Sequence, residues 1–268
     1  MAAASTDGQD ACSLVSLPLE IRHEIYQHLV PKRLHFSPYR GGFQLSPCVA
    51  SNPGVSYSGY TNRTRADSSA WGPHWRCEDV ALRFDDGPLK YSCTGLAALM
   101  TACKFMHVGV FEYLMGSVTF HVIGSNILQT IVNTRYKVES TSPRLDYLLA
   151  GLVAMKQLSI TLRLPASPEK FEAALSTLRS TIPSFKKLRK LDIWIDKEEV
   201  QLLSHTIDSA MLNYLCPLAD IPDLELSLCL PNRYTEVTMT PFEVHRRAWE
   251  RSQEYGRKRS GGSQLNSD

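Results

Sequence analysis

The sequence predicts an α/β fold, or its α+β variant, in which parallel strands alternate with helices. Three segments share the pattern apolar-x-x-apolar-x-apolar-x-apolar, at residues 155–162, 188–195 and 221–228. They recur every 33 residues, a period long enough for one strand and one helix. A looser copy at 115–122 lies 40 residues before the first. Strand, helix and strand in this order require parallel strands joined by right-handed crossovers.

Strict alternation within these strands predicts a sheet with one polar, exposed face, because doubly wound sheets carry continuous apolar strands instead. This favours an open, leucine-rich-repeat-like arrangement over a Rossmann fold. The 33-residue period aligns the outward side chains in rows, namely Ser159, Asp192, Glu225; then Thr161, Trp194, Ser227; then Arg163, Asp196, Cys229.

The polar sheet face is a candidate partner-binding surface. Trp194 is its natural anchor, since tryptophan dominates interface energies. The alternative is that a loop or terminal segment covers Trp194. The partner-binding candidates on this face are Thr161, Arg163, Asp192, Trp194 and Glu225.

The segments between the strands carry helix start signals. Ser142-Pro143 and Ser167-Pro168 each place a capping hydroxyl before a first-turn proline. Asp196 with Glu199 forms a capping box for a helix to about residue 216. Thr240-Pro241 predicts a last helix over 240–260, whose end is basic and which could serve as a nuclear import signal or a solvated tail.

Residues 14–31 form the sharpest local pattern. Pro18 suits the first position of a helix, and Pro31 prevents its continuation. Ile21, Ile25 and Leu29 recur every four residues and predict one apolar helix face. An ordinary helix packed against the core is the simplest interpretation.

These residues resemble the start of the F-box, and more specifically fungal F-box-like proteins with the signature Leu-Pro-x-Glu-Ile-Arg-x-x-Ile-Tyr-x-x-Leu. The matching positions are Leu17, Pro18, Glu20, Ile21, Arg22, Ile25, Tyr26 and Leu29. Residues 31–36 are similar to the short basic strand that follows in that family. The second family block is matched in outline by 96–122, with Lys104 in place of arginine, Gly109 of glutamate and Met115 of tyrosine. The second Glu-x-Arg of the related two-EXR domains is absent.

The resemblance implies a non-catalytic interaction protein. An F-box helix pair docks on a Skp-type adaptor of a cullin-RING ubiquitin ligase, and the carboxy-terminal sheet captures a substrate protein. On this reading the adaptor-binding residues are Leu17, Pro18, Ile21, Ile25 and Leu29. Two alternatives stay open, an F-box-like domain of structural role without a ligase partner and a nuclear factor acting through the basic tail.

The chain divides along its length by composition. We expect a disordered start at 1–13, the F-box-like helix and strand at 14–36, and a continuous α/β body at 81–239. Residues 37–80 contain seven serines, five glycines and four prolines without helical or strand periodicity, and predict a long flexible insertion loop. After the basic helix, we expect 261–268 to be disordered.

Composition excludes several classes of function. The 268 residues carry a net charge of +2, so there is no basic field of the kind that nucleic-acid binding requires. No Walker loop, dinucleotide fingerprint or nucleophile elbow occurs, so we expect no enzyme, catalytic residue or cofactor. Seven scattered cysteines, a start without a signal peptide and apolar runs too short for a bilayer predict a protein of the cytoplasm or nucleus. The oligomeric state stays open.

Two histidine–cysteine pairs have spacings compatible with metal ligation. They are His74-x-x-Cys77, within the predicted loop, and Cys103-x-x-x-His107, on a predicted core helix. Neither has a complementary pair nearby in sequence, and His23 and His28 are too far apart around a helix to share a metal. We therefore predict no metal site.

Overall fold

The structure is a computed structural model that describes residues 14, 16–39, 42–49, 69–81, 94–134, 151–164, 168–197, 212–231 and 240–247. Within these ranges one seven-stranded sheet has the order β2-β1-β3-β4-β5-β6-β7. Its strands are β1 (Arg33–Tyr39), β2 (Gly42–Pro47), β3 (Thr119–Ile123), β4 (Gln157–Leu164), β5 (Lys190–Lys197), β6 (Glu225–Pro231) and β7 (Glu243–Arg247). β1 and β2 pair antiparallel, and every other pairing in the sheet is parallel. The predicted α/β class is confirmed.

Helices precede and connect the parallel strands. They are α1 (Leu19–Leu29), α2 (Trp75–Ala81), α3 (Thr94–Ala102), α4 (Lys104–Ser117), α5 (Ser125–Thr134) and α6 (Pro168–Thr181). Single 3-10 turns lie at Gly72–His74, Ile182–Ser184 and Cys216–Leu218. The helices predicted after Ser142 and Asp196 fall mostly outside the described residues.

One face of the sheet forms the main core. Alternate strand residues such as Phe36, Phe120 and Ile160 are buried there, as the two-residue period of a strand requires. Side chains of α1, α4, α5 and α6 pack on this face. Leu175 and Leu178 of α6 are fully buried and form an apolar stripe on one side of the helix, and Pro183 follows in the turn that ends the helix.

The opposite face of the sheet is polar but not fully open. Residues 69–81 lie against it, where Trp71, Cys77 and Ala81 pack with Cys48, Val49 and Ile123. His35 and His121, adjacent across β1 and β3, are completely buried beneath this segment. The expectation of an exposed polar face is therefore wrong over β1 and β3.

The predicted loop at 37–80 contains regular structure. β2 pairs residue by residue with β1, and only two residues, Arg40 and Gly41, connect Tyr39 to Gly42. α2 follows the 3-10 turn at Gly72–His74. The serine, glycine and proline content predicted a loop instead of these two elements. For β2 the reason is that it gains its stability from pairing with β1 rather than from its own periodicity. Residues 50–68 lie outside the described part.

The predicted carboxy-terminal helix begins instead as strand β7. The hydroxyl of Thr240 donates to the carbonyl oxygen of Phe242 at 2.7 Å, so this side chain does not cap a helix. Glu243–Arg247 then hydrogen-bonds along the edge of β6. The sheet edge overrides the local helix signal, and residues 248–260 lie outside the described part.

The predicted strand register is right between β4 and β5 and wrong between β5 and β6. Ser159 is paired with Asp192, and Thr161 with Trp194, as expected. Asp192 is paired with Ser227 rather than Glu225, and Trp194 with Cys229 rather than Ser227. The shift is two residues, so each side chain stays on its predicted face. The two-residue period of a strand determines on which face of the sheet a side chain lies, whereas the backbone hydrogen bonds between strands determine which residues are paired.

None of the helices in the described ranges is long and apolar enough to cross a membrane.

Candidate functional site

The first candidate surface is built on α1. The helix begins at Leu19, one residue after Pro18, and ends where the backbone N–H of Val30 donates to the carbonyl of Tyr26. Tyr26 is fully buried and meets Tyr113 of α4 edge to face, with ring centroids 5.5 Å apart. A Cβ atom at Gly109 would lie 3.1 Å from the Tyr26 hydroxyl. The glycine therefore lets α1 and α4 approach closely, at the position where the F-box-like pattern has glutamate.

The predicted adaptor-binding residues lie at the surface of this helix. Ile21 is 47% exposed and Leu29 is 46% exposed, while Pro18 is also exposed. Leu17 and Ile25 are half-buried. None of these five side chains is therefore fully buried in the core of the protein.

Helix α4 contributes residues to this surface that were not predicted from the sequence. Phe105 and Val108, three residues apart on one side of α4, are exposed, and the Arg22 guanidinium lies 4.8 Å from the Phe105 ring centroid. Among the described residues, the large apolar side chains that are exposed all lie on these two helices, namely Leu19, Ile21, Leu29, Phe105 and Val108. We call these five residues the α1/α4 apolar surface. Helical spacing within α4 could have indicated Phe105 and Val108, but not their exposure.

The second candidate surface is the polar face of β4, β5 and β6. Thr161 is 1% exposed and accepts or donates a 2.8 Å hydrogen bond with His121, so its predicted role in partner contact is wrong. Arg163, Asp192 and Trp194 are half-buried, and Glu225 is exposed.

The Trp194 ring meets the turn at Gly72. A Cβ atom at Gly72 would lie 2.6 Å from the ring, and Gly72 has φ +53°. Both conditions require glycine. The alternative reading of Trp194, that a loop covers it, is confirmed in part.

The third feature is a buried cluster of His35, Cys48, His74 and Cys77, which we call the His/Cys cluster. Its nitrogen and sulfur ligand atoms all lie within 4.8 Å of one another. Cys48 Sγ is 3.8 Å from Cys77 Sγ and 3.4 Å from His74 Nδ1, and Cys77 Sγ is 3.9 Å from His74 Nδ1. These residue types are ligands for transition metals.

Local structure explains how four distant residues meet. The Leu34–Pro47 pairing of the hairpin carries Cys48 back beside β1, where its backbone N–H donates to the Arg33 carbonyl at 3.0 Å. Alternation along β1 turns His35 away from Leu34 and Phe36 and onto the polar face. The turn at Gly72–His74 then delivers His74, and the first turn of α2 delivers Cys77.

His121 and Thr161 extend the cluster into the sheet. His35 Nδ1 lies 2.7 Å from His121 Nδ1, and His121 Nε2 lies 2.8 Å from Thr161 Oγ1. Burial lowers the pKa of His35 to about 4, and burial together with the neighbouring His74 lowers the pKa of His121 well below its usual value. Both imidazoles are therefore neutral at physiological pH.

The thiol chemistry of the cluster is also altered. A hydrogen bond from Cys77 lowers the pKa of Cys48 far below its usual range, against the opposing effect of burial, and His35 and His74 act in the same direction. This lowered pKa favours the thiolate, the form of cysteine that binds metals.

Half of this cluster was evident from the sequence. The His74-x-x-Cys77 spacing is compatible with metal ligation, but its complementary pair is not visible in the sequence, because His35 and Cys48 come together only through the β1–β2 hairpin. The other candidate pair, Cys103 and His107, has a local role at α4. At the amino-terminal end of this helix the sulfur of Cys103 accepts a hydrogen bond from the Met106 N–H, and His107 Nδ1 lies 3.0 Å from the Met100 carbonyl oxygen.

Comparison of the chain with protein-family models, with curated proteins and with solved structures finds no match.

Proposed function

We propose that this protein is a non-catalytic interaction protein that docks on a Skp-type adaptor through the α1/α4 apolar surface, as an F-box-type substrate receptor does. The observation that carries the proposal is the exposure of Ile21 and Leu29 at nearly half of their surface. Exposed apolar side chains on two packed helices are candidates for contact with a partner protein. The F-box-like signature on α1 suggests the class of partner.

The energetics are adequate for specific docking. Full burial of a leucine or isoleucine side chain contributes about 1.5–3 kcal/mol, so the exposed half of each such residue contributes roughly 1 kcal/mol. Burial of Ile21 and Leu29 by a partner would therefore contribute roughly 2 kcal/mol, and the aromatic ring of Phe105 would add to this.

The platform beneath the surface is preformed. Tyr26 and Tyr113 fix α1 on α4, and Met106 lies 3.8 Å from the Tyr26 hydroxyl. A surface held in its binding geometry loses little conformational entropy on association, which favours affinity.

Substrate capture would then fall on the accessible part of the polar sheet face. Asp192 accepts a 2.6 Å hydrogen bond from the Ser227 hydroxyl, and the exposed Glu225 lies 3.9 Å from Lys190. This mixed-charge patch on β5 and β6 is well separated along the sheet from β1, which follows α1. One surface on the helices and another at a distance on the sheet suit a receptor that joins two proteins.

The test is co-purification of the full chain with a Skp-type adaptor, beside an Ile21→Asp, Leu29→Asp double variant. Both residues are exposed, so we expect the double variant to fold and to lose binding by at least tenfold, since two desolvated carboxylates oppose docking. Ala173→Asp, Ser176→Asp is the matched control, because it places the same two charges at exposed positions of α6. We expect it to bind like the wild type.

Two outcomes would contradict the proposal. Absence of adaptor binding by the wild-type chain would return α1 to a purely structural role. Equal binding by the wild type and the folded double variant would place the adaptor on another surface.

A further inference from the structure

We propose that His35, Cys48, His74 and Cys77 bind one zinc ion in a closed tetrahedral site that fastens residues 69–81 and the end of β2 to the polar face of the sheet. The site is independent of the adaptor surface on α1 and α4. It lies on the opposite face of the sheet from the main core.

The separations within the His/Cys cluster fit tetrahedral zinc. Zinc binds sulfur at about 2.3 Å and imidazole nitrogen at about 2.0–2.1 Å, so a regular tetrahedron places two sulfurs about 3.8 Å apart and sulfur and nitrogen about 3.5 Å apart. The two cysteine sulfurs are 3.8 Å apart. The separations from His74 Nδ1 are 3.4 Å to Cys48 and 3.9 Å to Cys77. Cys48, His74 and Cys77 therefore need little movement to close around an ion, and His35 completes a set whose ligand atoms all lie within 4.8 Å of one another.

His35 offers a nitrogen that the protein leaves without a hydrogen bond. His35 is completely buried, its Nδ1 contacts His121, and its Nε2 has no hydrogen-bond partner in the described part of the chain. A buried imidazole nitrogen without a partner is costly unless something coordinates it. Zinc bound at Nε2 supplies that interaction.

The chain from His35 to Thr161 fixes the imidazole in the ligating form. If Nε2 of His35 holds zinc, its Nδ1–H donates to Nδ1 of His121, and the Nε2–H of His121 donates to the Thr161 hydroxyl. Each nitrogen then has one role, and no proton is left over. Such outer partners orient metal-bound histidines and increase their basicity.

Charge and closure define the class of site. Two thiolates neutralise the two positive charges of zinc, so the bound cluster can be buried without an uncompensated charge. Cys77, His35 and His74 are nearly inaccessible and Cys48 is half-buried, so an ion held by all four would have its four positions filled by protein atoms. Four protein ligands in a closed arrangement are typical of a structural zinc site.

A disulfide is the main competing chemistry for the two cysteines. The sulfurs are 3.8 Å apart, almost twice the length of an S–S bond, and two histidines lie against them. A disulfide would also leave both imidazoles without the partner that their geometry suits. We therefore assign the cluster to metal rather than to a cross-link.

The first experiment measures metal in the full chain, purified without chelator from zinc-containing medium. We expect one zinc per chain by elemental analysis. After removal of zinc, titration with cobalt(II) should give the visible bands of tetrahedral cobalt and the ultraviolet charge-transfer band of two thiolates. Added zinc should bleach both.

Variants test which residues hold the ion. Cys77→Ser should lose zinc, while Cys103→Ser is the matched control, because a serine can cap α4 in place of Cys103 and should leave the zinc content unchanged. If Cys77→Ser does not fold, His35→Cys still tests the site. It should retain zinc and raise the thiolate charge-transfer absorbance by half.

Three results would overturn the proposal. One is a substoichiometric zinc content together with no tetrahedral cobalt spectrum in the wild-type chain. The second is a Cys48–Cys77 disulfide found by peptide mapping in metal-free protein that resists reduction and reloading. The third is full zinc retention in a folded Cys77→Ser variant.

Discussion

Gly72 is a residue whose identity is fixed by two separate conditions. Its backbone has φ +53°, a conformation that other L-residues rarely adopt, and its α-carbon lies against the Trp194 ring. Gly72 begins the turn that positions His74 in the His/Cys cluster. Trp194 is therefore a support for that turn at least as much as a contact for partners.

We expect Gly72→Ala to lower the free energy of unfolding by roughly 1–3 kcal/mol, because the new methyl group meets the ring and the backbone is strained. The measurement is urea denaturation. Gly116→Ala on α4 is the control, since nothing lies within 4 Å of its Cβ, and this change should be neutral or slightly stabilising. Equal stability of the two variants would mean that the turn does not rest on Trp194.

At the level of the single residue, sequence could predict the side-chain face but not its environment. Alternation along β1 and β3 sets His35 and His121 opposite Phe36 and Phe120. Nothing in the sequence says that residues 69–81 return to cover those histidines. This is why the His/Cys cluster could not be assembled from spacing alone.

The packing of α1 on α4 depends on a small residue at one crossing point. Gly109 leaves room for the Tyr26 hydroxyl, and Tyr26 and Tyr113 meet edge to face beside it. A Cβ atom at this position would lie 3.1 Å from that hydroxyl, so a larger side chain would press on the contact between the helices. The element pair, rather than either helix alone, defines the α1/α4 apolar surface.

We expect Gly109→Glu to displace α1 and to lower the free energy of unfolding by roughly 1–3 kcal/mol, as overpacking does. The near-ultraviolet circular dichroism of the packed tyrosines should change with it. Gly116→Glu makes the same substitution on the same helix at an open position. If both variants behave alike, close approach at Gly109 is not what holds the helices together.

Elements with their own periodicity could be predicted, and elements that depend on a partner could not. The strands at 157–164 and 190–197 and the stripe of α6 follow from apolar spacing. β2 and β7 have little such pattern and exist because a neighbouring strand offers its hydrogen-bonding edge. For β7 that edge prevailed over the proline and capping signals at Thr240 and Pro241.

Across the whole molecule, the centre of the sheet and its β2 edge are stabilised differently. β4 is flanked by parallel strands on both sides, and its inward residues are fully buried. β1, β2 and residues 69–81 meet instead around buried polar side chains. The first region relies on apolar burial alone, whereas the second combines the apolar contacts of Phe36 and Trp71 with the His/Cys cluster.

We expect Leu158→Ala in β4 to lower the free energy of unfolding by roughly 2–5 kcal/mol, as loss of a buried leucine does. Ser159→Ala, the next residue on the opposite face, should change stability by less than about 0.5 kcal/mol. Denaturant titration of both variants checks this. A small effect of Leu158→Ala would contradict its place at the centre of the core.

Removal of zinc should loosen one side of the molecule and spare the other. In hydrogen exchange, we expect chelation to accelerate the amides of residues 42–49 and 69–81 while those of β4 and β5 stay protected. Reloading with zinc should reverse the change. Uniform acceleration throughout the sheet would show that the two regions are not energetically separate.

The strand β7 also affects whether copies of this chain pair with one another through the edge of the sheet. Its sequence includes Glu243, Arg246 and Arg247, and charged residues in an edge strand discourage pairing with another chain. A chain that ended before Thr240 would expose the edge of β6, whose Leu226, Leu228 and Leu230 are apolar and whose backbone groups would lack partners. That edge would be a template for strand addition between molecules. By covering the edge of β6, strand β7 thus disfavours self-association of the chain.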